Sequence, residues 1–201
     1  MNLDTLREKI GYQPLLLGVV ALLASAALAV VSDATSPAIA AAEAKDLRDS
    51  LSEVLPAGMA DNDFLKDTVD LEQGGKTITV YRARQAGEIK AALFKVAERG
   101  YSGEIQVLMA VDMDGRTLGV RVLKHTETPG LGDKIEAKKD DWVLDFNGKS
   151  LTDPTEDKWA VKKDNGVFDQ FAGATITPRA VVKAVKGGLS FFAARKNDIT
   201  G

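Results

Sequence analysis

An uninterrupted apolar run near the N-terminus constrains this 201-residue chain more than any other feature. No charged residue appears from about Tyr12 to Val31, and about twenty such residues are enough to cross a bilayer as a helix. A cleaved signal peptide is the alternative, because the alanine-rich segment 38–44 offers the small residues found at cleavage sites. We expect an uncleaved transmembrane helix over residues 12–32.

The charges that flank this run predict its orientation. Arg7 and Lys9 precede it, whereas Asp33 follows it and no lysine or arginine appears again before Lys45. Cytoplasmic flanks are the ones that collect positive charge. Residues 1–11 are therefore expected in the cytoplasm, and the remainder of the chain in the periplasm of a bacterium whose inner membrane holds the helix.

Composition limits the chemistry that the rest of the chain can perform. The formal net charge is −3 and there is no basic stripe, so nucleic acid is not an expected partner. Cysteine is absent, which excludes disulfides, thiolate-bound iron–sulfur clusters and a cysteine nucleophile. His125 is the only histidine, which excludes a multi-histidine metal site. A redox function would therefore need an organic cofactor.

Beyond the apolar run, the sequence predicts a connecting segment and one α+β domain. Residues 33–60 form the connecting helix, from Ala38 to Leu55, and a linker. Residues 61–201 form a single domain in which helices pack an antiparallel sheet. Stretches rich in β-forming residues predict four strands: Thr77–Tyr81, Ala91–Val96, Glu104–Val111 and Thr117–Leu123. The segment 112–115 is typical of the hairpin turn that joins the last two.

The C-terminal part of the domain is expected to hold one long amphipathic helix. It runs from Pro178 to about Arg195, with Thr177 as its N-cap. Its apolar positions have helical spacing and predict the face that lies on the sheet: Val181, Val182, Val185, Leu189 and Phe192.

Shorter elements are expected between the hairpin and this helix. Asp133 is predicted to cap a short helix that runs to Lys139, and Trp142 and Phe146 are expected in the core. Trp159–Val161 is predicted to be a last short strand.

Two segments of this region have the composition of a binding site. The segment 171–179 places small residues and two threonines before a helix start, where unpaired N–H groups and the helix dipole can hold a phosphate. Gly173 and Ala174 allow close approach, and Thr175 adds a hydroxyl. A plain capped helix after a tight turn is the alternative. The segment 125–133 is a glycine-rich loop directly after a strand, a position that often has a function.

These two segments resemble a known family. His125–Gly132 and Phe168–Thr177 are similar to the FMN-binding domain of the G subunit of the Rnf electron-transport complex, and the apolar run and the total length also agree. The resemblance implies that Thr175 carries FMN through a phosphoester bond and that a flavin transferase recognises Asp169. Ala172 departs from the family, which often has serine or threonine at this position.

The resemblance also implies the rest of the site and the function. The flavin would lie against residues of both segments: Glu127, Thr128, Gly130, Leu131, Gly132, Gly173, Ala174 and Thr177. The protein would be a subunit of an ion-translocating oxidoreductase that passes electrons between ferredoxin and NAD. Its partners would be the other subunits, integral membrane subunits among them, and the flavin transferase during maturation.

Three other functions stay open from the sequence. The related C subunit of the sodium-pumping NADH:quinone reductase shares the flavin motif, although it is usually longer. A membrane-anchored assembly subunit without flavin is a second possibility, which Ala172 favours. A hydrolase that uses His125 and Glu127 is the third, but no Gly-x-Ser-x-Gly motif accompanies them.

Overall fold

The computed structural model describes residues 12–201. The predicted cytoplasmic segment 1–11, with Arg7 and Lys9, lies outside the described residues. The described residues fall into two units, residues 12–47 and residues 48–201.

The first unit is helical. The helix α1 spans Tyr12–Val54, and it contains one candidate membrane span, with a mean hydropathy of 2.6 and none of that stretch buried in the protein. Leucines such as Leu15, Leu22 and Leu28 are about two-thirds exposed or more. We predicted a separate connecting helix from Ala38, but α1 continues through Pro37 without a break. The alanine-rich sequence after Pro37 has a high helix propensity, which favours continuation.

The second unit contains a five-stranded antiparallel sheet in the order β1-β2-β3-β4-β5. The strands are β1 (Thr68–Gln73), β2 (Lys76–Gln85), β3 (Glu88–Arg99), β4 (Glu104–Asp112) and β5 (Thr117–Lys124). Each strand pairs with its neighbour in sequence, so the sheet is a meander. The four predicted strands are confirmed as β2 to β5, and β1 at the edge is an additional strand.

Two-residue turns close the first two hairpins. Gly74 and Gly75 both have positive φ, and so do Ala86 and Gly87. Two successive residues with positive φ form the turn type whose twist matches antiparallel strands. These turns fix the register of β1, β2 and β3, and hence which side chains lie on the inner face of the sheet.

The long helix α2 (Ile176–Thr200) packs on this inner face, mainly against β3 and β4. The predicted apolar face is confirmed, because all five of its residues are buried. Phe191 meets Phe94 of β3 edge to face, with ring centroids 5.2 Å apart. Gly188 lies directly against the side chain of Met109 on β4, so the absence of a Cβ atom there allows α2 to approach the sheet closely.

The chain between β5 and α2 has little regular structure and is held by an aromatic cluster. Trp142 and Phe146 are buried, as predicted, in the short 3₁₀ helix Asp141–Phe146. Trp142 packs edge to face against Phe171, with ring centroids 5.1 Å apart, and Phe146 stacks on Phe168 at 4.5 Å. This cluster anchors the segment that leads into α2.

Two predictions for this region are wrong. The predicted strand Trp159–Val161 reduces to a single bridge between Val161 and Phe168, because the chain turns back too soon for a ladder to extend. The predicted helix from Asp133 to Lys139 is a three-residue 3₁₀ helix, Asp133–Ile135. Asp133 does not cap it; its carboxylate accepts a hydrogen bond from Lys139 Nζ at 2.9 Å.

Candidate functional site

A cavity of about 280 Å³ lies where three segments of the second unit meet. The turn between β3 and β4, the loop after β5 and the start of α2 form its wall. All the residues of the predicted flavin site except Gly130 line it: Glu127, Thr128, Leu131, Gly132, Gly173, Ala174, Thr175 and Thr177. Tyr101 and Ile176 complete the lining. A larger cavity of about 420 Å³ lies between α2 and the sheet and contains none of these residues.

The start of α2 differs from the prediction. Thr175, not Thr177, occupies the N-cap position, and the helix begins at Ile176. Thr177 lies in the first turn, where its buried hydroxyl donates a hydrogen bond to Oε2 of Glu127. Thr177 therefore has a distant carboxylate as its partner, whereas a capping residue bonds to its own helix.

Thr175 is chemically available. It is partly exposed, and its hydroxyl makes no capping hydrogen bond to the helix. The first N–H groups of an α-helix have no partner within that helix, so the cavity wall at Thr175 also offers backbone donors and the positive end of the helix dipole. An anionic group bound at Thr175 would accept hydrogen bonds from these donors and would be stabilised by the helix dipole.

The loop after β5 is shaped by a tight turn. The carbonyl oxygen of Thr128 accepts hydrogen bonds from the backbone N–H groups of Leu131 at 3.2 Å and Gly132 at 2.9 Å. Gly130 within the turn has a φ of +77°, which a residue with a side chain rarely adopts. The turn leaves Leu131 45% exposed at the cavity. Gly130 itself shapes the turn and does not line the cavity.

Gly132 allows the loop to contact α2. A Cβ atom at this position would lie 2.9 Å from Oγ1 of Thr177 and 3.0 Å from Cβ of Glu127. A side chain at position 132 would therefore disturb the hydrogen bond between Thr177 and Glu127. Gly173, on the opposite wall, has a φ of +78° and faces Leu131.

Glu127 is a buried carboxylate that joins the three segments. Besides the Thr177 hydroxyl, it accepts hydrogen bonds from the backbone N–H groups of Tyr101 at 3.2 Å and Ser102 at 3.0 Å. Burial raises the pKa of Glu127, but these hydrogen bonds, above all the one from Thr177, outweigh burial and hold the pKa below its usual value. Glu127 is therefore ionised at neutral pH.

His125 and the Glu127 carboxylate do not form an acid–base pair. His125 Nδ1 accepts the backbone N–H of Glu127 at 3.1 Å, so the ring proton lies on Nε2, which meets Oε1 of Glu136 at 2.9 Å. Lys139 contacts the same oxygen of Glu136 at 2.7 Å. Both ring nitrogens thus hold the loop in place, an arrangement that does not favour the hydrolase alternative.

Asp169 lies outside the cavity. Its carboxylate pairs with Lys162 Nζ at 2.6 Å, and both side chains are more than half exposed. Its backbone carbonyl accepts a hydrogen bond from Trp142 Nε1 at 2.8 Å, which ties the segment before Thr175 to the aromatic cluster. The exposed Ala172 lies between this anchor and the cavity.

The sequence prediction did not include the turn between β3 and β4 in the site. Tyr101 and Ser102 contribute through their backbone N–H groups, which have no signature in the sequence. The available signal was Gly100, where a Cβ atom would lie 2.5 Å from Oε1 of Glu127. A glycine that must lie against a carboxylate marks a close approach.

The family model described as an FMN-binding domain matches residues 100–190, which contain the turn between β3 and β4, the β4–β5 hairpin, the loop after β5 and the first part of α2. Curated relatives narrow the family. The G subunit of the ion-translocating oxidoreductase complex of Cereibacter sphaeroides (strain ATCC 17029 / ATH 2.4.9) is 53% identical, over 89% of this chain and 82% of the relative. The G subunit of the same complex from Stutzerimonas stutzeri is 49% identical, over 94% of this chain and 83% of the relative.

This chain belongs to the family of G subunits of ion-translocating oxidoreductase complexes. Among solved structures, the crystal structure of Shewanella oneidensis NqrC is similar, with 24% identity, a TM-score of 0.49, and coverage of 71% of this chain and 72% of that chain.

Proposed function

We propose that this chain is the electron-transfer subunit of an ion-translocating ferredoxin:NAD oxidoreductase complex and that it carries electrons on FMN esterified to Thr175. The observation that carries this proposal is the cavity, which joins a threonine hydroxyl without a capping partner, a helix start and an apolar rim. The G-subunit family and its FMN-binding domain support the coarser part of the proposal.

The start of α2 fits the phosphate end of FMN. Thr175 would supply the ester oxygen, and the N–H groups of Ile176 and Thr177 would solvate the remaining phosphate oxygens, since Pro178 has no N–H. Gly173 and Ala174 present little or no side chain at this wall, so a phosphate can approach the backbone. The Glu127 carboxylate keeps its charge and would repel a phosphate, so we place the phosphate at Thr175 and not beside Glu127, whose oxygens accept hydrogen bonds from Thr177 and from the turn between β3 and β4.

The rim of the cavity fits the flat ring of FMN. Tyr101, Leu131 and Ile176 are 68%, 45% and 47% exposed, which is high for large apolar side chains next to a polar cavity. Exposed apolar groups that meet at one place usually mark a binding surface. Thr128 and Gly132 would form the remaining wall of the ring site.

Bound FMN would supply the electron chemistry, since it can take up and release electrons where these side chains cannot. The residues of this chain would hold it at a fixed place. An ester bond to Thr175 would prevent its loss into the periplasm and would fix its distance from the next electron carrier.

The membrane assignment rests on α1. Its apolar part is long enough to anchor the chain, and the positive charges of Arg7 and Lys9 favour a cytoplasmic N-terminus with the second unit in the periplasm. The inner membrane would then bring the chain to the integral subunits of the complex. The flavin transferase would act on the same side as Thr175.

Mass spectrometry tests the linkage. The full-length chain is produced with a flavin transferase and compared with the variants Thr175→Ala, Thr175→Ser and Thr128→Ala. We expect a mass gain equal to FMN minus one water on the peptide that contains Thr175. The gain should be absent from Thr175→Ala, present at a reduced level in Thr175→Ser, and retained in Thr128→Ala. A Thr175 peptide of unmodified mass in an active complex would contradict the proposal.

The assembly subunit without flavin is the second candidate, favoured by the alanine at position 172. It predicts that Thr175→Ala leaves both the assembly of the complex and its electron transfer unchanged. The electron-transfer proposal predicts normal assembly with electron transfer lost. One variant, examined for both properties, therefore distinguishes the two candidates.

A further inference from the structure

Glu127 differs from the other acidic side chains around the cavity because its charge has no cationic partner. Only 4% of this residue is exposed, and its hydrogen bonds come from two backbone N–H groups and one hydroxyl. No lysine or arginine among residues 12–201 forms an ion pair with it. Asp133 and Glu136, by contrast, share the ammonium group of Lys139.

Two cationic groups near the cavity are engaged by other carboxylates. Lys139 is held by Asp133 and Glu136, and Arg179 in the first turns of α2 is held by Asp164 through two contacts of 2.6 Å. The imidazole of His125 faces Glu136 and the backbone N–H of Glu127. Neither Lys139 nor Arg179 therefore pairs with the negative charge of Glu127.

A buried and unpaired charge is costly, and such charges concentrate at functional sites. Three hydrogen bonds offset part of this cost here, which explains how the fold tolerates the charge. They also join the turn between β3 and β4, the loop after β5 and the first turn of α2 at a single carboxylate. Glu127 thus combines a structural connection with a fixed charge in the wall of the cavity.

We propose that Glu127 is a positioning residue that also lowers the reduction potential of the flavin through its fixed negative charge. The inference rests on the proposed function. Reduction adds negative charge at the cofactor, and an ionised carboxylate in the same partly desolvated cavity opposes that addition. The effect needs Glu127 to be ionised at working pH, which the hydrogen bonds from Thr177, Ser102 and Tyr101 ensure.

The variant Glu127→Gln tests the charge, because glutamine has nearly the same shape and no charge. The full-length flavin-loaded chain is titrated at pH 7 with a chemical reductant while its flavin absorbance is followed. We expect the midpoint potential of Glu127→Gln to lie above that of the wild type. The matched control is Glu136→Gln, which also removes one acidic charge but from a group paired with Lys139 outside the cavity. Its potential should stay close to that of the wild type.

Two further variants separate charge from positioning. Glu127→Asp keeps the charge on a shorter side chain, and Thr177→Val keeps the charge but removes the hydroxyl donor. Both should lower the melting temperature of the apo chain, measured in a Thr175→Ala background, without raising the potential of the loaded chain. Because they retain the carboxylate, a rise of the potential in Glu127→Asp or Thr177→Val would overturn the inference even if Glu127→Gln does not fold.

The outcomes distinguish this inference from the proposed function. A wild-type chain without covalent flavin would mean that the proposed function has failed. A loaded Glu127→Gln chain with the wild-type potential would overturn the inference and leave the proposed function standing. An equal rise of the potential in Glu127→Gln and Thr177→Val would also overturn it, because a general loosening of the site would then explain both.

Discussion

Thr177 donates its hydroxyl hydrogen to Oε2 of Glu127 and thereby joins two residues that lie fifty positions apart in the chain. The bond is buried, and it connects the first turn of α2 to the loop after β5. A neutral hydroxyl that binds a carboxylate gives a stronger hydrogen bond than two neutral groups do. The geometry of the cavity therefore depends on this contact.

Removal of the Thr177 hydroxyl should destabilise the second unit. Thr177→Val leaves a buried carboxylate with one donor fewer, which costs about 1–3 kcal/mol in the free energy of unfolding. Urea denaturation of the detergent-solubilised chain, followed by fluorescence of Trp142 and Trp159, measures the change, since both tryptophans are buried in this unit. Thr177→Ser is the control and should lose much less. Equal losses in the two variants would mean that the methyl group, not the hydroxyl, is important.

Two adjacent glycines of α2 should respond in opposite ways to substitution by alanine. A Cβ atom at Gly187 meets nothing within 4 Å, whereas at Gly188 it would collide with Met109 and lie 3.2 Å from Cγ1 of Val96. Gly187→Ala should stabilise the protein by up to about 1 kcal/mol, because alanine has the higher helix propensity. Gly188→Ala should cost about 1–3 kcal/mol through overpacking. Thermal unfolding measures both, and a stabilised Gly188→Ala would contradict the close packing of α2 on β4.

Stability should fall in acid, and Glu127 should account for part of the fall. Hydrogen bonds hold the pKa of Glu127 below its usual value, and the Gly130 backbone N–H and Lys139 lower the pKa of Asp133. The unfolded chain takes up protons at the ordinary pKa values, so the stability from these groups is complete above them and is lost as the pH falls through the folded-state values.

The urea midpoint should therefore be flat from about pH 7 to pH 5 and should decline below about pH 4.5. In Glu127→Gln the whole curve should lie lower, with a shallower decline, because one of the titrating groups is missing. A decline as steep as that of the wild type would show that Glu127 does not contribute.

Asp169 should affect attachment of the flavin without affecting stability. Asp169→Asn removes the carboxylate that we propose the transferase recognises, and the rate of flavin attachment should fall. Lys162→Gln breaks the same 2.6 Å ion pair but keeps the carboxylate, so its rate should stay near that of the wild type. An exposed ion pair adds little to stability, so neither variant should change the melting temperature. Equal loss of rate in both would assign the effect to the ion pair.

Composition and periodicity predicted the elements that form the core. The β4–β5 hairpin follows from runs of β-forming residues, and the apolar face of α2 follows from helical spacing. The edge strand β1 was missed because Asp70 and Glu72 are exposed and give its sequence the composition of a loop. The backbone hydrogen bonds to β2 hold β1 in the sheet, and such bonds place few demands on the side chains of an edge strand.

The loop and the helix start of the site were predicted together from a resemblance, and the structure brings them to one cavity. The role of Thr177 was mistaken because capping and first-turn positions differ by only two residues. The distinction depends on Glu127, a partner that local sequence cannot identify. Tyr101 and Ser102 hold Glu127 through their backbone N–H groups. Because nearly every residue has such a group, the sequence does not indicate which ones take part.

The meander has a consequence for the order of folding. Each strand pairs with its neighbour in sequence, so the sheet needs only short loops to close, and local contacts form fast. The contact of Glu127 with Thr177 must close a far longer loop, and α2 is the final element of the chain. We therefore expect the sheet to form early and Thr175, the proposed acceptor, to reach its final surroundings last, so that attachment of the flavin would report that folding is complete.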